Sequence, residues 1–239
     1  MTPAIIREMF SRIAPRYDLL NHLLSLGLDR IWRRKACELL DVPREALVLD
    51  LCAGTGRLAF ECARQKPGAR IVACDFAVPM LHLLPQRCRR ETMSAQVAPV
   101  CGDALRLPFP DGAFDAATNG FGLRSYGDLR AGLREALRVL RPGGQLVVVE
   151  FFRPGPSLLR TLFEVYFRRG LPWLGRVISG HEFAYQYLHD SVAGFVTQAE
   201  FAAILGELGF DDVHGTDLAW GVVTVFTARE PTDSQRSHP

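Results

Sequence analysis

Lysine is nearly absent from the chain. Lys35 and Lys66 are the only two in 239 residues, and Arg carries the rest of the positive charge along the whole length, which reads as a coding bias. Lys and Arg together number 28 against 26 acidic residues, a net charge of only +2. The strong basic excess of a dedicated nucleic-acid binder is therefore missing. None of the six cysteines forms a C-x-x-C pair, which excludes zinc spacing of that type. Several lie in apolar runs, where Cys behaves as a small hydrophobe. No apolar run approaches the length that spans a bilayer, and no charged-then-apolar leader opens the chain. A reduced, cytoplasmic protein is expected. There is no Pro/Gly/Ser linker and no internal repeat. With 48% hydrophobic residues, the expectation is one domain over 1–229 with a single large core, then a polar, disordered tail at 230–239.

What the sequence does contain is an alternation. Short apolar runs stand at 46–51, 70–74, 96–101, 114–118 and 145–151, and most are apolar on both faces, as buried parallel strands require. Amphipathic segments lie between them at 58–65, 79–90 and 128–140. Arg141-Pro142-Gly143-Gly144 stops the last helix and turns the chain into the next strand. Residues 4–40 read as helical, broken near Pro15 and Gly27. The alternation specifies a doubly wound α/β sheet with helices on both faces. After 151 the pattern changes. Residues 154–195 are aromatic and irregular and read as an insertion, and a helix follows at 198–208. Two strands at 213–218 and 221–228 are joined by a turn around Trp220 too short for a parallel crossover, so they are antiparallel. The expected sheet has seven strands, mostly parallel, with a C-terminal antiparallel hairpin.

Four strand ends carry candidate chemistry. The first is Val48-Leu49-Asp50-Leu51-Cys52-Ala53-Gly54-Thr55-Gly56, a buried strand ending in an acid, then a glycine turn and a helix. Gly54 and Gly56 let a ligand approach the backbone. A dinucleotide fold would place a third glycine where Ala59 stands. An acid beside the turn repels a pyrophosphate and attracts a cation such as the amino-acid portion of S-adenosylmethionine. The second is Asp75, where doubly wound sheets place an acid against ribose hydroxyls; the competing role is a helix N-cap. Because Asp75 lies at a strand end, its replacement by Ala is expected to weaken cofactor binding and spare the fold. The third is Gly102-Asp103-Ala104, in which Asp103 could accept from the adenine amino group or serve as a plain turn acid. The fourth is Thr118-Asn119-Gly120-Phe121-Gly122-Leu123-Arg124, which faces the reacting methyl group and sets Arg124 as a cation at the reaction face.

These elements match the class I methyltransferase pattern in order and spacing. The chain further resembles the ubiquinone/menaquinone biosynthesis C-methyltransferases. The resemblance rests on Phe10-Ser11-Arg12-Ile13-Ala14-Pro15-Arg16-Tyr17-Asp18, on Ser25-Leu26-Gly27 and Arg30-Ile31-Trp32, and on Phe121-Gly122-Leu123-Arg124. It continues through Arg138–Gly144 into Glu150-Phe151, then Tyr185–Val192 and 218–223. It implies a Rossmann-like fold that uses S-adenosylmethionine. Carried over, Thr55, Asp75, Asp103 and Ala104 are the implied cofactor contacts, beside Asp50, Cys52, Gly54, Gly56, Phe76, Asn119 and Gly120 as cofactor-binding candidates of the strand ends; Arg124 is the catalytic candidate of the fourth strand end, and Tyr185 or a bound water is the candidate base. The implied reaction is carbon methylation of a polyprenylated quinol, demethylmenaquinol first and a ubiquinone precursor second. The chain departs from the family at Gly120, often Ser; at Arg57, commonly Asp; and at Asp29, often His. Cys52 replaces the first glycine of the general turn. Two other functions stay open: methylation of another small hydrophobic molecule, and an S-adenosylmethionine-binding scaffold of a quinone-pathway complex.

The resemblance also assigns 1–41 and 154–195 to the substrate side. Within 158–178, apolar residues alternate with Arg160, Arg168, Arg169 and Arg176 against the single acid Glu164. A basic amphipathic stretch of this kind lies on an anionic bilayer or packs on the core with Arg outward. Peripheral contact at the inner face of the membrane is one expectation, and a homodimer is left open. His181, Tyr185 and His189 are lid or site candidates. Quinol methylation needs a ring carbon made electron-rich by loss of a hydroxyl proton, so Arg124 is expected to stabilise the phenolate.

Overall fold

The computed structural model describes residues 18–19, 21–22, 25–90, 96–153 and 190–232. Tyr185, His181, His189, the 158–178 stretch, most of the N-terminal signature and the tail from 233 lie outside the described residues. The strands are β1 (Leu47–Leu51), β2 (Arg70–Asp75), β3 (Val97–Cys101), β4 (Phe114–Gly120), β5 (Leu140–Phe151), β6 (Asp211–Leu218) and β7 (Val223–Arg229). The helices are α1 (Leu28–Glu38), α2 (Arg57–Gln65), α3 (Val78–Leu81), α4 (Leu84–Arg90), α5 (Leu129–Val139) and α6 (Gln198–Glu207).

The strands form one sheet in the order β3-β2-β1-β4-β5-β7-β6. Pairs from β3 to β5 are parallel. β7 runs antiparallel to β5 and to β6, so the seven-stranded sheet with its C-terminal hairpin is as expected. Strand alternation divides the core. Val48, Ala116, Val147 and Val149 face α1 and α2 in one cluster. Leu49, Ala117, Leu146 and Val148 face α5 and α6 in the other.

Two elements differ from the periodicity. The segment expected as one helix over 79–90 is two, α3 and α4, separated at His82-Leu83. Pro85 accounts for the break: it lacks an N–H and its ring would clash with the carbonyl of Leu81 in a continuous helix. β5 begins at Leu140, before the Pro-Gly-Gly turn, and its register against β4 shifts between Phe114 and Ala116. The turn is therefore an irregularity inside the strand. Among the described residues, no helix is long and apolar enough to cross a membrane.

The order changes direction between β2-β1 and β4, so the crevice at the carboxyl ends of β1, β2 and β4 is where doubly wound sheets bind ligands. Three strand-end groups meet there.

Candidate active site

Sheet register builds the site. Asp50 on β1 lies beside Ala73 of β2 and Thr118 of β4, and Leu51 beside Cys74 and Asn119. Asp50 is fully buried beneath the turn. Its carboxylate accepts from the Ala59 N–H of α2 at 3.1 Å and from the Thr118 hydroxyl at 2.9 Å. It thus braces the glycine turn against both the helix and the neighbouring strand. Burial pushes its pKa from 3.8 up to about 7, opposed by these two hydrogen bonds.

The turn itself is bent by residues in the left-handed region. Cys52 has φ +54° and Gly54 φ +55°. A non-glycine residue there is uncommon and costs roughly 1–2 kcal/mol, which explains why the general pattern prefers glycine at the first position. A Cβ on Gly54 would meet nothing within 4 Å. The space over its backbone is open, as a close-lying ligand needs. Gly56 serves packing, since its Cβ would come within 2.9 Å of the Phe60 ring.

Asp75 closes the arrangement. Its carboxylate accepts from the Gly54 N–H at 2.8 Å and the Ala77 N–H at 2.7 Å, so it ties the β1 turn to the end of β2. The N-cap of α3 is Ala77, without a side-chain cap, so the capping role does not apply. Burial raises the Asp75 pKa, partly offset by the Ala77, Gly54 and Phe76 N–H groups. The expectation that Asp75 could be lost without cost to the fold needs correction: the side chain is buried and holds two backbone donors. Phe76 is half-buried beside it. Gly102 donates to the Asp75 carbonyl at 3.1 Å, which sets the third turn on the same rim. There Asp103 is exposed and accepts from the Leu105 N–H at 2.9 Å, the geometry of a turn acid, and Ala104 is half-buried.

The fourth loop packs on the first. Asn119, fully buried, donates to the Leu51 carbonyl at 3.1 Å and accepts from the Gly122 N–H at 3.1 Å. Gly120 lies against Leu58, with room at 3.1 Å for a Cβ that must push the Leu58 side chain. Phe121 has φ +61°. Its ring packs 6.1 Å from Trp32 and 5.1 Å from Phe151, and Trp32 stands edge-on to Phe151 at 5.7 Å. These three rings form an aromatic wall at the carboxyl ends of β4 and β5.

Arg124 departs from its expected setting. It is not an uncommitted cation. Its Nε donates to Glu150 at 2.7 Å and one Nη donates to the Ser191 hydroxyl at 2.7 Å, while the second Nη lies 3.5 Å from the Phe121 carbonyl. The side chains of Arg124 and Glu150 are 6% and 0% exposed. The guanidinium also lies 5.5 Å over the Phe151 ring. One Glu150 oxygen finds no partner among the described residues.

Four participants were not singled out from the sequence as site residues. Thr118 fixes Asp50. Asp18, half-buried, accepts from the Thr55 hydroxyl at 2.6 Å, pairs with Arg87, and lies 2.9 Å from Arg57. Arg87 also donates to the Thr55 carbonyl at 2.8 Å. The Thr55 hydroxyl is thus committed to the N-terminal segment. Burial pushes the Asp18 carboxyl up, but Thr55, Arg87 and Arg57 outweigh it and hold it below its ordinary value. Arg57, the departure from the family's Asp, finds its counter-charge in Asp18; Asp29, the departure from His, is met by His22, Ser25 and Arg33. The fourth is Tyr126, whose hydroxyl lies 3.4 Å from the Asn119 amide. Gly132 makes room for it, since a Cβ there would fall 2.3 Å from the Tyr126 ring. A glycine inside the helical pattern at 128–140 was the available signal.

Two tests follow from this geometry. A Cβ on Gly122 would lie 2.6 Å from the Cys52 Cβ. Gly122→Ala is expected to lose about 1–3 kcal/mol of stability by forcing the two loops apart. Gly54→Ala should cost only about 1–2 kcal/mol in stability yet obstruct the ligand side. Denaturant unfolding and cofactor titration of both variants separate the two effects; equal loss of affinity at equal loss of stability would contradict it. The second concerns Asp50. Its folded-state pKa is raised, so its contribution to stability is full below 3.8 and is lost as pH rises through about 7. The loss is at most about 1.4 kcal/mol per pH unit, and Asp50→Asn should flatten it. A cation bound beside the turn favours the ionised form, so cofactor affinity should rise over the same interval. Calorimetry across pH 5–8 checks both signs; a wild-type slope identical to that of Asp50→Asn removes Asp50 from the linkage.

A family profile described as the ubiE/COQ5 methyltransferase family matches residues 2–230. A demethylmenaquinone methyltransferase from Thermus thermophilus is 45% identical over 223 residues, covering 93% of this chain and 100% of that protein. A ubiquinone/menaquinone biosynthesis C-methyltransferase UbiE from Geobacter sulfurreducens is 41% identical, covering 94% of this chain and 88% of that one. Among solved structures, a SAM-dependent methyltransferase from Thermotoga maritima superposes with a TM-score of 0.66 at 19% identity, over 93% of this chain and 98% of that one. That likeness concerns the fold alone.

Proposed function

The chain belongs to the ubiE/COQ5 methyltransferase family, and from that membership we infer an S-adenosylmethionine-dependent enzyme that methylates a carbon of a quinone ring in menaquinone or ubiquinone biosynthesis. The relative covered over its whole length carries the demethylmenaquinone methyltransferase name, which favours demethylmenaquinol as the substrate.

The observation that carries the reading is the convergence of Asp50, Gly54 and Asp75 at the switch point of the sheet. These residues fit the cofactor. The Gly54 backbone is open on its ligand side. Asp75 engages the Gly54 and Ala77 N–H groups, with that of Phe76 also acting on it, and about four acceptor positions on an ionised carboxylate still leave capacity for a ribose hydroxyl. Asp50 is a buried acid whose charge a nearby cation would stabilise. The cofactor supplies an electrophilic methyl group on a sulfonium. The chain's own work is orientation and electrostatics. The Trp32, Phe121 and Phe151 wall offers a flat apolar surface for an aromatic ring. Arg124 has five N–H donors, of which Glu150 and Ser191 take two in short bonds, so N–H groups remain to stabilise a phenolate. Tyr185 stays a candidate for the proton.

The test is chemical. Purified protein is incubated with methyl-labelled S-adenosylmethionine and a reduced demethylmenaquinone of short tail, beside the corresponding ubiquinone precursor. The expected product carries one added methyl on a ring carbon, located by mass spectrometry, with the naphthoquinol preferred. Cofactor binding without methyl transfer to either quinol would reject the enzyme reading in favour of a scaffold.

A further inference from the structure

Among the described residues, five large hydrophobic side chains are exposed, and four of them crowd into the N-terminal region: Leu19 at 56%, Leu26 at 75%, Leu28 at 38% and Ile31 at 60%. Single exposed leucines are ordinary, but a cluster is not. Leu28 and Ile31 stand three residues apart on α1 and so share a face. Leu26 precedes them at the tip of a turn, with φ +51°. Beside them, between α1 and α2, runs a groove of about 820 Å³ that Ile31 helps to line. Its cations are Arg30, Arg33, Arg34, Arg57, Arg64 and Arg87, against Glu38 and Glu61.

Depth divides these arginines. Arg57 and Arg87 are held inward by Asp18, and Arg33 by Asp29. Arg34 and Arg64 are more than half exposed, even though each pairs with a glutamate. Arg30 is exposed and pairs with no acid among the described residues. The outer face of α1 therefore presents aliphatic side chains next to exposed guanidinium groups. Its inner face carries Trp32, which packs on Phe121 and Phe151.

We propose that the outer face of α1, with Leu26, Leu28, Ile31, Arg30 and Arg34, docks on an anionic lipid bilayer. Apolar side chains enter the headgroup–acyl boundary while arginines meet the anionic headgroups, the arrangement by which interfacial helices bind. Charge complementarity selects this occupant over a neutral apolar partner, and the aliphatic side chains are out of place against a nucleic acid. The chain's net charge of +2 also makes the basic face a local feature. Docking sets the bilayer one helix diameter, roughly 10 Å, from the aromatic wall on the other side of α1. A polyprenylated quinol could then present its ring to the site while its tail stays in lipid. That purpose rests on the proposed substrate; the surface does not. None of its residues belongs to the basic stretch at 158–178.

The test uses the full chain and vesicles of phosphatidylcholine, with or without phosphatidylglycerol, in co-sedimentation at low and high salt. Wild type should bind the anionic vesicles more tightly, and salt should weaken the binding. Leu26→Ser/Ile31→Ser and Arg30→Gln/Arg34→Gln should each bind about tenfold more weakly, with unchanged circular dichroism and an unchanged unfolding midpoint. Equal binding to both vesicle types overturns the proposal. So does wild-type binding by both double variants, or loss of binding only on Arg168→Gln/Arg169→Gln. Competition by duplex DNA at the same concentration as anionic lipid would also overturn it. Failure of the wild type to methylate a tail-less quinol bears on the proposed function and leaves the vesicle result standing.

Discussion

Glu150→Ala is expected to lower the free energy of unfolding by about 3–5 kcal/mol, because it strands a buried guanidinium without its counter-charge. Arg124→Ala should cost a similar amount for the converse reason, since the Glu150 side chain is wholly inaccessible. The pair joins the loop after β4 to the end of β5, and Glu150 also accepts from the Phe151 N–H at 2.8 Å. Removing both charges together, as Arg124→Met/Glu150→Leu, should recover most of the lost stability, because the desolvation of both ions is no longer required. That double variant separates structure from chemistry. If Arg124 stabilises the phenolate, the refilled protein unfolds near the parent midpoint but transfers methyl groups about 10²–10³-fold more slowly. Single-turnover rates at saturating cofactor and quinol are the measurement. A stable double variant that turns over at the parent rate would leave Arg124 a structural residue.

Asp75→Ala is expected to weaken S-adenosylmethionine binding by about 3–6 kcal/mol, a hundredfold to ten-thousandfold, if the carboxylate accepts from both ribose hydroxyls. The same change leaves the Gly54 and Ala77 N–H groups without their acceptor, at a stability cost of about 1–3 kcal/mol for each one that stays dry. Asp75→Asn keeps one acceptor oxygen and should fall between. Affinity by calorimetry, with the unfolding midpoint of the same samples, decides the case. Wild-type affinity in a folded Asp75→Ala protein would remove the residue from the cofactor site and leave it as the tie between two strand ends.

The sheet was legible because its evidence is local. Apolar runs at 46–51 and 145–151 declare buried strands by having no polar face, and the brevity of the turn at Trp220 forces an antiparallel hairpin. The acids at 50 and 75 were legible for the same reason, since each follows a buried run and precedes a turn. Pro85 is local evidence of the same kind, since a proline there interrupts any continuous helix over 79–90.

The side-chain partnerships between segments far apart in the chain come from folding alone. Arg124 meets Glu150 across 26 residues and Ser191 across 67; Asp18 reaches Thr55 across 37 and Arg87 across 69. No periodicity encodes such partners, because they depend on which strands adjoin and in what register. Asp50 shows the division within one residue. That an acid ends a buried strand before a glycine turn is written in neighbouring residues. The sheet order alone put Thr118 beside it and α2 above it, and burial by those neighbours, not the aspartate's own chemistry, carries its pKa to about 7.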